Sequence, residues 1–299
     1  MRILILVVAA AGALASIAAG AAQAPTVVAK IKVSAAAAPC AAAAGGGFVW
    51  VSEYGSPYLL KIDPKHNKVV AKTGIGTGSC GLGYGAGSLW IEDTSSSTVS
   101  RVSVKTGKRA KAIPVGITPY DATFAYGAAW ATAYGSGEVD RIDPAKNKVV
   151  KRFKLGTAIG VVGAFGSVWA SGSQGVLRID PVANKVLATI PVASAGWTAA
   201  SSDAVWVNTT GGIARIDPAT NAVSATVPIG GGPLGDPAVI GGKVWVPVIR
   251  ANRVAIVDPA TNAVTGSVKV GVGPFVVTEI AGEAWIPSWK GKDIYRVRP

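Results

Sequence analysis

The chain has 299 residues, 49% of them hydrophobic and 15% charged, with 29 basic against 16 acidic side chains, two cysteines and one histidine. The lone His66 argues against a histidine-built metal site or a histidine-centred catalytic triad, and the length suits one large core of the kind all-β folds form as a single domain. A formal net charge of +13 points toward anionic partners.

Residues 1–24, MRILILVVAAAGALASIAAGAAQA, set one cation, Arg2, before an apolar run that ends in small residues. This is the pattern of a secretory signal peptide, with cleavage after Ala22 or Ala24. No second apolar stretch approaches the roughly 20 residues that span a bilayer, so residues 25–299 are expected as one soluble domain, secreted or periplasmic. In that oxidising setting Cys40 and Cys80 are either a disulfide or two buried thiols.

From residue 26 onward the chain repeats itself. Trp50, Trp90, Trp130, Trp169, Trp206, Trp245 and Trp285 are spaced by 40, 40, 39, 37, 39 and 40 residues, a period that marks a propeller or a solenoid. Each unit holds four β-prone runs separated by turns and no amphipathic helix, which predicts a four-stranded antiparallel blade. We call its strands A to D. Strand B carries the tryptophan, and the RIDP and NKVV runs of the unit are strands C and D. Asn67, Asn147, Asn184, Asn221 and Asn262 share one register in the C–D turn, and Gly107 replaces Asn in the second unit. That pairing of residue types predicts a left-handed backbone there.

Seven A-to-C sets are present, and the seventh has no strand D, because the sequence reaches Pro299 first. TVVAKIKV, residues 26–33, matches a D strand with no A to C before it. The expected architecture is therefore an all-β, seven-bladed propeller closed by the N-terminal strand, which removes the open edge of the ring.

The RIDPATN and G-VWV repeats resemble the YVTN family of seven-bladed β-propellers, and the VW-to-RID spacing is similar to streptogramin B (virginiamycin B) lyases. The resemblance covers residues 26–299. It implies that ligands bind on the face where the D–A and B–C loops gather, here called the top face. The lyase likeness further implies an acid three residues after a blade tryptophan, a histidine close behind it, and Mg²⁺. Glu53 follows Trp50 by three, but Tyr54 and Gly55 come next, and His66 belongs to a C–D turn on the opposite face.

Features that all blades share serve folding, and departures from the repeat are candidates for function. The basic residue two positions before the Asp of the C–D turn recurs (Lys61, Arg101, Arg141, Arg178, Arg215, Arg296), which suggests an ion pair along strand C. The off-register Trp197 and Trp289 map to the top face together with Arg250, Arg253, Phe275 and Lys290. They either stack on a ligand or plug the channel mouth. Tyr54, Tyr120 and Asp121 from blades 1 and 3 join the ligand-site candidates. Glu53, Glu92 and Asp93 are weak metal or general-base candidates, read as solvated loop acids if the site has no function. Cys40 and Cys80 share one register on adjacent blades, so a disulfide at the channel mouth is expected.

Residues 61–154 hold 15 of the 29 basic side chains, placed mostly on the C–D turns and D strands of blades 1–3. This basic rim either meets an anionic cell-wall polymer or membrane surface or guards edge strands against pairing. The composite expectation is an exported, monomeric binding or scaffold module for a small molecule, peptide or protein, with no cofactor. A metal-assisted lyase or hydrolase using Glu53, Glu92, Asp93 or Asp121, and a nucleic-acid-binding propeller, are the alternatives.

Overall fold

The computed structural model describes residues 24–34 and 37–299; the segment expected as a signal peptide, residues 1–24, lies outside them except for Ala24. Seven four-stranded antiparallel sheets form the blades. Blade 1 is built from Pro39–Gly45, Phe48–Glu53, Tyr58–Asp63 and Lys68–Gly74, taken as strands A to D. The inner A strands of blades 2 to 7 begin at Ser79, Pro119, Ala158, Thr198, Ala238 and Thr278. In blade 7, Thr26–Lys32 pairs antiparallel with Asp293–Arg298, from Thr26 opposite Arg298 to Lys32 opposite Asp293. The N-terminal strand is thus the outer strand of the last blade. Blade 2 departs from expectation: its strand D is reduced to Ile113–Pro114, because Lys108–Lys111 carry the chain past strand C with only an isolated bridge from Arg109 to Val102.

The seven repeat tryptophans are at most 1% exposed. Each packs onto strands B and C of the following blade: Trp90 meets Ala129, Ala131 and Ile142, and Trp285 meets Val49, Val51, Leu60 and Ile62 of blade 1. The sheets share few hydrogen bonds with one another, so these apolar layers hold neighbouring blades together, and removal of one such indole costs about 3–5 kcal/mol. In blades 1 to 4 the indole N–H is also satisfied, donating to the carbonyl five residues upstream, as from Trp50 to Gly45 at 3.0 Å and from Trp169 to Ala164 at 3.0 Å.

The C–D turn has the backbone its sequence predicts. Asn67, Asn147, Asn184, Asn221 and Asn262 have φ between 48° and 54°, and Gly107 has φ 68°. The Asp of the turn accepts a turn N–H, as Asp143 does from Ala145 at 2.8 Å and Asp217 from Ala219 at 2.7 Å.

The strand C cation does not pair with that Asp, which corrects the expected ion pair. It lies over its own blade's tryptophan, at 4.8 Å for Arg101 on Trp90 and 4.9 Å for Arg178 on Trp169, and reaches into the next blade. Arg101 donates to Pro144 O at 2.6 Å and to Asn147 Oδ1 at 2.7 Å. Arg178 donates to Pro218 O at 2.6 Å and Asn221 Oδ1 at 2.9 Å, and Arg296 to Pro64 O and Asn67 Oδ1. The Asp is already occupied by its turn, whereas the next blade's Asn offers a free carbonyl at guanidinium distance. The pairing is visible within the chain: every blade followed by an Asn turn carries Arg. Lys61 precedes the Gly107 turn, and Ile256 precedes blade 7, which has no C–D turn.

Three of the five arginines complete this bridge. In those blades the residue two before the tryptophan accepts from Nε: Ser88 at 3.0 Å, Ser167 at 3.0 Å and Glu283 at 2.9 Å. In blades 3 and 5 that residue is Ala128 or Ala204, and the Nε atoms of Arg141 and Arg215 and the Oδ1 atoms of Asn184 and Asn262 are all buried without partners. Ala128→Ser and Ala204→Ser should therefore each raise stability by about 0.5–1.5 kcal/mol, the net value of a hydrogen bond, and Ser88→Ala should lower it by a similar amount. Urea denaturation of the three variants measures the effect, and a loss of stability in both Ser variants would contradict the assignment.

Candidate functional site

Six aromatic side chains run in contact across the top face. Tyr134 and Tyr120 lie 5.5 Å apart between ring centroids, Tyr120 stacks on Trp197 at 5.1 Å, and Trp197 meets Phe275 edge-on at 5.2 Å. Phe275 leads to Trp289 at 5.5 Å, and Trp289 meets the edge of Tyr54 at 5.8 Å. The chain of rings crosses blades 3, 5, 7 and 1 and closes the channel mouth. Trp197 is only 7% exposed, so it is a plug rather than an open stacking platform. Beneath Phe275 and Trp289, Cys40 and Cys80 are joined by a disulfide with Cα atoms 5.1 Å apart. Arg250, Arg253 and Lys290 stand outside the ring arc. Arg253 donates to Gly230 O at 2.7 Å, and the Arg250 and Lys290 side chains lie against Gly232 and Gly273 of the D–A loops.

The acids expected as solvated loop residues are buried. Glu53 accepts from Ser56 Oγ, and Asp93 from Ser96 N at 3.3 Å, so both are held in their own B–C loops. Glu92 and Asp121 face the channel wall. Among the described residues no three His, Cys, Asp or Glu side chains are grouped so as to hold a metal ion.

The position two residues after each blade tryptophan explains Glu92. Ser52 there donates to Cys80 O of the next blade at 2.6 Å, Thr132 to Ile159 O at 2.8 Å, and Ser171 to Gly196 O. The same hydroxyls accept from their own strand A, as Thr132 does from Asp121 N at 3.0 Å. In blade 2 a carboxyl takes the place of the hydroxyl. Glu92 Oε1 accepts from Cys80 N and Gly81 N, while Oε2 is buried without a partner. Burial drives the Glu92 carboxyl well above the usual range. Asp121 accepts from Ala122 N at 2.8 Å and Val161 N at 2.9 Å, yet burial still pushes it up to about 6. Asp236 is also driven well up, by burial first and then by the charge of Asp121. Asp236 was not among the sequence candidates, although it stands nine residues before its blade tryptophan, as Asp121 does.

Blade 5 carries Asn208 at the same register. Its Nδ2 donates to Gly235 O at 2.6 Å, reproducing the inter-blade bridge, but its Oδ1 is buried and unpartnered. The reason is local: Gly196 and Trp197 pair with the Asn208 backbone, at 2.8 Å to Asn208 O and 2.9 Å from Asn208 N, in place of the strand A irregularity seen in blades 1–4. Asn208 lines a cleft of about 230 Å³ between blades 3 and 6, with Tyr120, Tyr134, Ile159, Ser194, Gly196, Trp197, Thr209, Thr210 and Leu234. None of these residues is charged. Of the ligand-site candidates, Tyr120 and Trp197 line the cleft; Asp121 is buried in the channel wall, and Tyr54, Phe275 and Trp289 belong to the plug.

No family model and no curated protein matches the chain. Solved structures do. A catalytically inactive His-to-Ala variant of virginiamycin B lyase from Staphylococcus aureus, solved with quinupristin, superposes with a TM-score of 0.79 at 16% identity, covering 92% of this chain and 99% of that one. Hydrazine synthase of Kuenenia stuttgartiensis gives 0.77 at 15%, covering 89% and 97%. The WD40 β-propeller domain of Doa1 gives 0.74 at 13%, covering 91% and 96%. These likenesses show the propeller fold.

Glu92→Gln would place an acceptor toward Cys80 and Gly81 and a donor where Ser52, Thr132 and Ser171 donate in their own blades. By that register its acceptor is the Tyr120 carbonyl. A carboxyl whose folded pKa is raised contributes stability that is present below its unfolded pKa and is lost as pH rises through the folded value. For Asp121 that window runs from the ordinary carboxylate range, roughly 4, through about 6, and Asp140, pushed up to about 6 by burial, acts in the same sense. Wild-type stability should fall across this window. At neutral pH, Glu92→Gln should exceed wild type by about 1–3 kcal/mol, the cost of an unsatisfied buried group. Urea melts on both sides of the window check this; a Gln variant weaker than wild type at neutral pH would show that Glu92 is held ionised.

Proposed function

We propose that the protein is an exported binding module whose ligand seats in the uncharged top-face cleft between blades 3 and 6, with the propeller as its rigid frame. The observation that carries this reading is the lining of the cleft: Tyr120 and Tyr134 wall it, Ser194, Thr209 and Thr210 bring hydroxyls to it, and no charged residue is among them. Export rests on the pattern of residues 1–24.

The lyase reading has less support. The lyase structure named above is inactive with a histidine replaced by alanine. In this chain His66 is exposed on a C–D turn and bound to Asp63 at 2.6 Å, away from the top face. Of the carboxyls with raised pKa, Glu92 and Asp121 lie in the channel wall and Asp140 on strand C of blade 3, and Glu53 and Asp93 are tied into their own loops.

The basic rim is a second contact surface, suited to an anionic cell-wall polymer. Lys68, Lys72, Lys105, Lys108, Arg109 and Lys111 are exposed and make no ion pair among the described residues, whereas Lys146, Arg152 and Lys154 pair with Asp143, Glu138 and Asp140. Edge guarding alone would not leave blades 4–6 so poor in such residues.

Two measurements test these assignments. In a thermal-shift screen of uncharged small molecules and short peptides, a ligand of the cleft at about 100 times its Kd adds about 2.7 kcal/mol, hence several degrees of Tm, and Tyr134→Ala removes the shift. Hits that are insensitive to Tyr134→Ala would move the site elsewhere. Retention on an anionic resin should collapse between about 50 and 200 mM salt, as for any contact made through several cations, and reversing Lys68, Lys72 and Lys111 to Glu should abolish it; salt-independent retention would refute the rim.

A further inference from the structure

We infer that the cleft beside the D–A loop of blade 6 is an anion site, which takes a phosphate group, free or as a phosphomonoester, on Arg250, Arg253 and the backbone of Gly231 and Gly232. It adjoins the uncharged cleft and shares Thr209, Thr210 and Leu234 with it. The inference stands on other residues and goes beyond that reading.

The first argument comes from the repeat. Blade 3 shows what this loop meets elsewhere: the N–H groups of Gly116 and Ile117 donate to Asp140 Oδ2 at 2.7 Å and to Ser136 Oγ at 3.0 Å. Gly231 and Gly232 hold the same two places in blade 6. Gly231 faces Val248, Ala251 and Arg253 as Gly116 faces Ala133, Ser136 and Glu138, and Gly232 lies against Arg250 as Ile117 lies against Gly135. Strand pairing gives the same match, since Arg253 stands opposite Val248 as Glu138 does opposite Ala133, and Ala255 opposite Val246 as Asp140 does opposite Ala131. Blade 6 thus has Ala251 in place of Ser136, Ala255 in place of Asp140 and Arg253 in place of Glu138. Both acceptors are gone, and the N–H groups of Gly231 and Gly232 find no other among the described residues.

The second argument is charge. Arg253 donates through one nitrogen to Gly230 O at 2.7 Å, which leaves the rest of its fork without a partner. Arg250 is exposed, and neither arginine forms an ion pair among the described residues. Two uncompensated guanidinium groups therefore flank two unserved backbone donors. Such a concavity of N–H groups and cations favours an anion.

The third argument is access and donor count. Gly231 and Gly232 have φ 109° and 116°, a backbone that glycine alone adopts readily and that a ligand can approach closely. Residues 230–233 are exposed, and the cleft beside them holds about 510 Å³, within the roughly 300–1,000 Å³ of small-molecule sites. Two guanidinium forks, two N–H groups and the hydroxyls of Thr209 and Thr210 offer more donors than the two oxygens of a carboxylate serve. A phosphomonoester presents three oxygens and a charge of about −1.5 to −2, and guanidinium forks engage such oxygens two at a time.

Isothermal titration at fixed ionic strength with inorganic phosphate, phenyl phosphate and acetate tests the inference. Phosphate should bind saturably, and acetate about 10-fold more weakly or worse. Arg250→Ala removes an exposed side chain that has no hydrogen-bond partner, so it should keep the wild-type Tm and weaken phosphate about 10-fold or more, the value of a hydrogen bond to a charged group. Ala251→Asp sets a carboxylate where blade 3 has Ser136, and should abolish binding while the exposed position keeps the fold intact. Reversing Lys68, Lys72 and Lys111 to Glu should leave phosphate binding in place, which separates the site from the rim. Tyr134→Ala should also leave inorganic phosphate bound, which separates it from the uncharged cleft. Phenyl phosphate that binds more tightly than inorganic phosphate, by a margin that Tyr134→Ala removes, identifies a phosphorylated small molecule as the source; equal affinity identifies the free ion. Absence of saturable phosphate binding, acetate as tight as phosphate, or binding that survives both Arg250→Ala and Ala251→Asp overturns the inference.

Discussion

An arginine that rests on its own blade's tryptophan and grips the next blade's turn is the constraint on which the ring depends. The seven sheets are separate hydrogen-bonded units. The buried tryptophans press them together, but an apolar layer is non-directional and sets no angle between blades. The bridge from Arg101 to Pro144 and Asn147 does set one, because a guanidinium fork fixes direction as well as distance. From blade 7 to blade 1 the same bridge, Arg296 to Pro64 and Asn67, locks the closure that the N-terminal strand makes by pairing.

The two boundaries without an Arg–Asn pair have other links near the channel. Between blades 1 and 2, where Lys61 meets the Gly107 turn, the Cys40–Cys80 disulfide joins the inner strands, closing a segment of 40 residues whose chain-entropy value is about 4 kcal/mol. Between blades 6 and 7, where Ile256 stands in for Arg, the backbone itself crosses: Asp236 N donates to Phe275 O at 2.7 Å, and Val277 N to Asp236 O at 3.0 Å. The repeat is broken in each place, and at each break an inner covalent or backbone link replaces an outer side-chain bridge.

Periodicity made the blade count, the strand order, the closing strand and the left-handed Asn turn legible in the sequence, because each rests on a local rule repeated six or seven times. Relations between blades were harder to read. The role of the strand C arginine was misassigned to the nearest Asp, since sequence proximity hides a partner about forty residues ahead, although the matched absences at Gly107 and Ile256 record it. For Trp197 the sequence left ligand stacking and a channel plug both open, because a loop position says nothing about rings arriving from blades 3 and 7. Asn208 was overlooked because one polar residue on strand B, Val205–Thr209, does not stand out by itself; only comparison with Ser52, Thr132 and Ser171 shows that it has one hydrogen-bonding atom more than the bridge requires.

The distribution of bridges bears on where the cleft lies. Complete bridges join blades 2 to 3, 4 to 5 and 7 to 1, while the incomplete ones, at Arg141 and Arg215, mark the boundaries from 3 to 4 and from 5 to 6. The cleft draws Tyr120 and Tyr134 from blade 3, Ile159 from blade 4, Asn208 from blade 5 and Leu234 from the edge of blade 6, so it spans both incompletely bridged boundaries. Inner hydrogen bonds do cross both boundaries, from Thr132 to Ile159 O and from Asn208 to Gly235 O, so what they lack is the outer bridge alone. A ligand seated there touches elements that no complete outer bridge joins, and its binding energy adds to the apolar layers and inner hydrogen bonds that hold those two boundaries.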